Sequence, residues 1–222
     1  MSKIRKIQFF TLLLMVSFSL TGCFGQKTPV EKMFTVMENV VDEEKGFEEQ
    51  QKPLVELEQK EKDLYEKIIS LGSKENDQIV KLSDEAISVV LEREKHMEKE
   101  QKSLIASKKK FETISPFITK LDDSDLKNRA NDLYELMNKR YEIHDLLYEN
   151  YMLGTQYDIE LYKMLKDKEA SMEQLDNQVT KINETYDKVL KANEQFNQQT
   201  KKYNETKLNF YKKAGIKVSE AK

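Results

Sequence analysis

The sequence has 222 residues, of which 35% are Asp, Glu, Lys or Arg, and its formal net charge at pH 7 is −3. It contains 6 Gly, 3 Pro, 2 His and 1 Cys, which leaves few residues for the turns of sheet proteins or for phosphate-binding glycine loops. This composition argues against most enzyme classes and favours long helices joined by few turns.

Residues 1–22 are predicted to be a lipoprotein signal peptide that is removed. Three basic residues within the first six precede an apolar run from Ile7 to Leu20. That run is shorter than the roughly 20 residues that a membrane-spanning helix needs, and it matches the apolar region of an export signal. The predicted location is therefore the extracytoplasmic face of the cytoplasmic membrane.

The end of this segment resembles the lipobox of bacterial lipoproteins, with Leu20, Thr21, Gly22 and Cys23 in the required order. In that class of protein the cysteine thiol receives a diacylglyceryl group, and cleavage makes the cysteine the new N-terminus. Cys23 is thus the predicted lipid attachment site, since two acyl chains (palmitate is typical) give durable anchoring. The alternative is an ordinary secretory signal with an incidental cysteine, which would favour a small residue in place of Leu20.

Four helices are predicted after the signal, over roughly 28–71, 74–113, 123–166 and 171–213. Their similar lengths and short connections predict an all-α fold, an elongated antiparallel helical bundle with up-down-up-down topology. The alternative is fewer, longer helices in a coiled coil, because the heptad phase continues through 161–175. The bundle domain is placed at 28–213, with a short tether at 23–27 and a basic, flexible tail at 214–222.

Helix ends are predicted from capping signals. Thr28 and Ser171 each begin a capping box, Gly72 is a predicted C-cap, and Gly215 ends the last helix. Pro53 lies inside the first predicted helix and should kink or briefly break it.

The two histidines do not form a recognisable metal motif. His96 and His144 lack a glutamate three residues earlier, which di-iron bundles require. Antiparallel packing would bring them close together, but a zinc site would then need Glu100 or Asp145 as a further ligand. No metal, cofactor or catalytic residue is predicted.

Tyrosines recur on one seven-residue row of the third predicted helix, at positions 134, 141, 148 and 162. Tyr134, Tyr141, Tyr148 and Tyr162 could stack on a glycan ligand, and Gly154 leaves room for a partner to approach. The alternative is packing of the rings against the core, with hydroxyl groups reaching solvent. Both interpretations remain open from the sequence.

Positive charge is concentrated in the C-terminal segment of the chain. Residues 200–222 hold seven lysines and two glutamates. In an up-down-up-down bundle, this segment and the loop near 114–123 lie at the lipid-anchored end, and the turns at 71–74 and 166–171 form the far tip. A membrane-proximal basic patch is therefore predicted at Lys108, Lys109, Lys110, Lys201, Lys202, Lys212 and Lys213. The alternative is a frayed tail that only aids solubility.

Five segments carry a family resemblance: FEEQQKPL (47–54), YEKIISLG (65–72), VKLSDEA (80–86), MNKRY (137–141) and NETY (183–186). Through these segments the chain resembles the YkyA-type cell-wall-binding lipoproteins of Bacillus and relatives. The resemblance runs along essentially the whole chain and implies a Gram-positive surface lipoprotein. It supplies no catalytic residues to carry over.

The predicted function is a lipid-anchored, non-catalytic binding or spacer protein at the membrane–cell wall interface. Its expected partners are membrane lipid, through Cys23, and a cell-wall polymer or an envelope protein. The alternative is a coiled-coil adaptor that docks a membrane or cell-division protein through its tip or an exposed stripe. Nucleic acid is excluded by the compartment and by the acidic body of the chain.

Overall fold

The computed structural model describes residues 27–71 and 75–216. These residues form helices and contain no strand, which confirms the predicted all-α fold class. The helices are α1 (Pro29–Glu43), α2 (Lys45–Ser70), α3 (Asn76–Glu112), α4 (Ser115–Ile118), α5 (Ser124–Lys166) and α6 (Met172–Lys213).

The first predicted helix is divided in two, but the break is not at Pro53. Pro53 lies within the 26-residue helix α2. The interruption is instead the single residue Glu44, between α1 and α2, although the Glu44 amide still donates to the Val40 carbonyl at 3.1 Å. Because the Glu44 carboxylate is buried and bound to Arg140, the interruption coincides with a polar anchor in the core. No break occurs at Pro53, so that part of the prediction is wrong, whereas a kink at Pro53 stays a prediction.

The predicted helix ends agree with the structure wherever it describes them. The Thr28 hydroxyl accepts from the Glu31 amide at 3.2 Å, and Glu31 accepts from the Thr28 amide at 2.7 Å. Ser171 and Gln174 form the same reciprocal pair at the start of α6. Gly215 has a φ of 72°, which suits a glycine cap after the last helix. Gly72 lies outside the described residues.

The connector after α3 is partly helical. Ser115–Ile118 forms the single turn of α4, and Ile118 packs into the core. The Asp123 carboxylate then accepts from the Leu126 amide at 2.9 Å, so Asp123 caps α5.

The described residues divide into two compact units. Unit 1 comprises Gly46–Gln101 and Asp145–Asn193, within α2, α3, α5 and α6. Gln51 of α2 bonds Glu100 of α3, and Lys60, further along α2, pairs with Glu85, which is earlier in α3. The two helices α2 and α3 are therefore antiparallel. One apolar cluster of this unit contains Leu64, Ile68, Ala86, Val89, Val90 and Tyr162.

Unit 2 comprises residues 27–45, Lys102–His144 and 194–216. Here Arg140 bonds Thr200 while the His144 ring packs against Phe196, so α5 and α6 are antiparallel. The core includes Met33, Met37, Phe111, Leu133, Met137, Phe210 and Tyr211. Each unit thus contains an antiparallel helix pair, as the predicted up-down-up-down topology requires.

One end of unit 2 brings together four chain segments. The Lys32 ammonium lies 5.8 Å from the Phe117 ring of α4. The Phe34 ring near the start of α1 is 5.2 Å from Tyr211 of α6, and Lys213 pairs with Asp125 of α5 at 3.0 Å. The start of α1, the 114–123 connector and the end of α6 therefore meet at one end, as the predicted topology requires.

Candidate functional site

The side chain of Arg93 lies at the centre of the polar core of unit 1. It is 4% exposed and receives partners from α2, α5 and α6. Its Nε donates to the Tyr151 hydroxyl at 2.9 Å, and one Nη donates to the Tyr186 hydroxyl at 2.9 Å. The other Nη pairs with Glu61, and with Asp158 at 3.3 Å. Each guanidinium nitrogen of Arg93 thus has a partner.

The acids around Arg93 outnumber the single cation. Glu58 lies 3.9 Å from Arg93, in addition to Glu61 and Asp158. Burial, together with the neighbouring charge of Glu61, raises the pKa of Asp158 to about 7. Burial also raises the pKa of Glu58. The Tyr162 hydroxyl donates to Glu61 at 3.2 Å, so the buried carboxylate of Glu61 is hydrogen-bonded within the cluster.

The space beside Gly154 is occupied by the Tyr186 ring of the same chain. A Cβ atom at this position would lie 2.9 Å from the Tyr186 ring, closer than real Cβ contacts. Glycine therefore allows α5 and the Tyr186 side chain to approach, and Tyr186 can reach both Arg93 and Asp158. The predicted room for a partner at Gly154 is wrong, because the Tyr186 ring occupies it.

A second arginine, Arg140, is buried in the core of unit 2. Its two terminal nitrogens bond the two carboxylate oxygens of Glu44 at 2.7 and 2.8 Å. The Ser107 hydroxyl also donates to Glu44 at 2.8 Å. Because Ser107 has only one hydroxyl proton, the Tyr141 hydroxyl donates to Ser107 at 2.7 Å. The Arg140 guanidinium stacks on the Phe196 ring at 4.4 Å.

These two arginine clusters can stabilise one particular helix arrangement. The N–H donors of a guanidinium have fixed directions, so they bind a carboxylate only in a narrow geometry. Sliding one helix by one turn would therefore separate the arginine from its carboxylate partners. Breaking such a buried pair costs about 3–5 kcal/mol, although an apolar replacement of the whole group can be neutral. The clusters are therefore best interpreted as devices that define helix register.

Sequence reasoning did not identify these clusters, although a signal was present. Apolar residues recur at helical spacing along the predicted helices and form a stripe on each, and these stripes have gaps at the buried positions 44, 61, 93, 140 and 158. These gaps hold Glu44, Glu61, Arg93, Arg140 and Asp158, which are all buried. A charged residue at a core position of a long helix indicates a partner in another stripe, but not which one.

The histidines have partners other than metal ligands. The His96 ring nitrogen Nδ1 is 2.8 Å from the Gln50 amide oxygen, and burial lowers the pKa of His96. The buried His144 ring lies 5.4 Å from the Phe196 ring. Across residues 27–71 and 75–216, no cluster of three or more His, Cys, Asp or Glu side chains could hold a metal ion.

The predicted tyrosine row is divided between buried and partly exposed positions. Tyr141 and Tyr162 are 2% and 3% exposed, with hydroxyls bonded to Ser107 and Glu61. Tyr134 and Tyr148 are partly exposed, and the Tyr134 ring stacks on Phe111 at 5.8 Å. Packing therefore accounts for Tyr141 and Tyr162, whereas ligand contact stays a prediction for Tyr134 and Tyr148.

The lysines of the predicted basic patch all belong to unit 2. Their exposure differs: five are exposed, whereas Lys108 and Lys110 are partly buried. The exposed members are Lys109, Lys201, Lys202, Lys212 and Lys213. Lys207 of the same segment is instead buried against Glu38, at 3.1 Å.

The predicted lipid attachment site lies outside the described residues. Leu20, Thr21, Gly22 and Cys23 precede residue 27, where the description begins. Among the helices that are described, none has the length and apolar character required to cross a membrane.

Comparison with known proteins assigns this all-helical chain to a family. Residues 28–213 match the YkyA family model, described as "Putative cell-wall binding lipoprotein". A Bacillus subtilis (strain 168) protein named "Uncharacterized lipoprotein YkyA" is 36% identical over 202 residues, which cover 91% of this chain and 90% of that protein. The chain belongs to the YkyA family, which confirms the resemblance predicted from its sequence.

A solved structure supports the same helical fold. The crystal structure of a conserved protein of unknown function from Staphylococcus aureus superposes with a TM-score of 0.68. The match covers 84% of this chain and 97% of that one, at 18% sequence identity, so it bears on the fold alone.

Proposed function

We propose that this protein is a lipid-anchored, non-catalytic binding or spacer module at the membrane–cell wall interface. Cys23 is its acylated residue, and the helices after residue 28 form its extracytoplasmic domain. The cell-wall binding in the family description is consistent with this role.

The position of the first helix carries the proposal. The capping box at Thr28 begins α1 only five residues after Cys23. A fully extended chain of that length reaches about 17 Å, so the end of unit 2 that contains α1 stays near the lipid surface. A short tether of this kind suits a module that acts close to the membrane.

The absence of catalysis is part of the proposal. Asp158 has the raised pKa that a general acid could use, but it is 6% exposed and bound to Arg93 and Tyr186. A catalytic group must reach a substrate atom, and Asp158 has no such access. A structural role for the cluster accounts for the same geometry.

Co-sedimentation with purified cell walls tests the binding role. The mature chain carrying Cys23→Ser is mixed with walls from which lipid has been removed, and the bound fraction is measured. We expect retention by the walls, and we expect Tyr148→Ala to weaken it more than the control Tyr157→Ala, because Tyr148 belongs to the predicted contact row. No retention by walls would overturn the binding role while leaving a spacer role.

The adaptor role remains the second candidate because apolar side chains are exposed in unit 1. Ile69, one residue before the end of α2, is 56% exposed, and Met172, at the start of α6, is 80% exposed. In-cell cross-linking from these two positions tests this role. A specific envelope protein captured from both positions, without wall retention, favours the adaptor.

A further inference from the structure

The two units carry very different net charges. Within the described residues, unit 1 contains 14 Lys and Arg against 25 Asp and Glu, a balance of −11. Unit 2 contains 17 Lys and Arg against 14 Asp and Glu, a balance of +3. The sequence-level contrast between an acidic body and a basic tail is therefore a contrast between two folded units.

The basic unit is also the one that begins beside the proposed lipid anchor. Its end contains the start of α1, the α4 turn and the end of α6. Lys212 is exposed at the end of α6, Lys120 is exposed two residues after α4, and Lys109 is exposed one turn before the end of α3. The about 17 Å reach of the tether keeps this end close to the membrane, and interactions with surface charge decay over about 10 Å at 0.1 M salt.

Two of the acidic residues at this end, Asp123 and Asp125, are engaged by the protein itself. Asp123 accepts from the Leu126 amide at the positive end of α5. Asp125 pairs with Arg129 at 3.2 Å and with Lys213 at 3.0 Å, and its hydrogen bonds to Lys213 and Arg129 lower the pKa of Asp125. These contacts reduce the repulsion that the aspartates would otherwise exert on an anionic surface.

The α4 turn adds apolar and aromatic surface at the same end. Pro116 is exposed, and the partly buried Phe117 ring lies beneath the Lys32 ammonium at 5.8 Å. Aromatic rings flanked by lysines suit the headgroup region of a bilayer, where an apolar face and a cation are both stabilised.

We propose that this end of unit 2 lies against an anionic lipid bilayer and acts as a second, electrostatic membrane contact beside the acylated cysteine. The proposal rests on the proposed lipid anchoring, because the anchor supplies the proximity. Unit 2 supplies the attraction in this contact, because unit 1 carries an excess of acid that the same surface repels.

Vesicle co-sedimentation of the unacylated mature chain tests this contact. The mature chain carrying Cys23→Ser is mixed with vesicles of phosphatidylglycerol and phosphatidylcholine, or of phosphatidylcholine alone. We expect binding to the anionic vesicles at low salt, and loss of most of it at about 0.5 M salt because of screening. Binding to neutral vesicles of equal strength would overturn the proposal.

Two matched triple variants separate a specific surface from general charge. Replacing Lys109, Lys120 and Lys212 with glutamine should lower the partition coefficient by about fivefold for each lysine removed. The control replaces three exposed lysines of unit 1 with glutamine: Lys168, Lys188 and Lys191. The control has the same net charge and should bind like the parent, and an equal loss in both variants would contradict the proposal.

The outcomes distinguish this surface from the anchor itself. Retention by purified walls but not by anionic vesicles would overturn the lipid contact and leave the proposed function intact. Failure of Cys23 to acquire lipid in cells would overturn the proposed anchoring, whatever the vesicles show.

Discussion

Replacement of Arg93 by methionine is the sharpest test of the buried clusters. The substitution keeps an unbranched apolar stem but removes the guanidinium, which leaves the carboxylates of Glu61 and Asp158 and the Tyr186 hydroxyl without their cation. An uncompensated buried charge of this kind destabilises a fold by about 3–5 kcal/mol. Because Arg93 contacts three other helices, we expect a loss in this range.

Urea unfolding followed by far-UV circular dichroism measures this loss. The matched control is Lys60→Ala, since Lys60 forms an exposed pair with Glu85 at 3.2 Å, and such a pair contributes roughly 0–1 kcal/mol. A triple variant, Arg93→Met with Glu61→Gln and Asp158→Asn, should recover part of the stability because it removes the orphaned charges. If Arg93→Met costs no more than Lys60→Ala, the interpretation of the cluster as a structural device is wrong.

Three further changes test individual contacts by the same unfolding measurement. The pKa of Asp158 is raised to about 7 from an ordinary 3.8, so the free energy of unfolding should fall as pH rises from about 4 through 7. Asp158→Asn should make this fall smaller. A parent protein whose stability rises over this range faster than that of the variant would contradict the prediction. Gly154→Ala should destabilise by about 1–3 kcal/mol despite the better helix propensity of alanine, and Tyr186→Leu in the same chain should relieve the clash; an alanine variant as stable as the parent would refute the close approach. Glu44→Ala should cost about 3–5 kcal/mol because it orphans the Arg140 guanidinium, and a loss below 1 kcal/mol would show that the bidentate pair is unimportant.

The helix ends were largely predictable because capping is a local property. Thr28 with Glu31, and Ser171 with Gln174, satisfy orphan backbone amides within four residues, so no distant contact is needed to identify them. The antiparallel packing followed from helix lengths and short connections. Local chemistry and simple geometry were sufficient for these features.

The interruption at Glu44 was not predictable, because the contact that accompanies it lies far along the chain. Proline is the strongest local breaker, so Pro53 was the natural candidate. The carboxylate of Glu44 instead bonds Arg140, 96 residues later. A tertiary contact of this separation leaves no local signal beyond a charged residue inside an apolar stripe.

The role of the tyrosines depended on the same kind of distant information. Tyr141 and Tyr148 are seven residues apart on one helix, yet the first is buried with its hydroxyl on Ser107 and the second is partly exposed. Spacing places residues on one face of a helix, but the neighbouring helices decide which part of that face is covered.

Metabolic labelling with a palmitate analogue, combined with protease treatment of intact protoplasts, tests the proposed anchoring most directly. We expect the parent protein to incorporate the label and to be degraded by external protease, and we expect Cys23→Ala to incorporate none. A parent protein that acquires no label, or one that is protected from the protease, would contradict a lipid-anchored module on the outer face of the membrane.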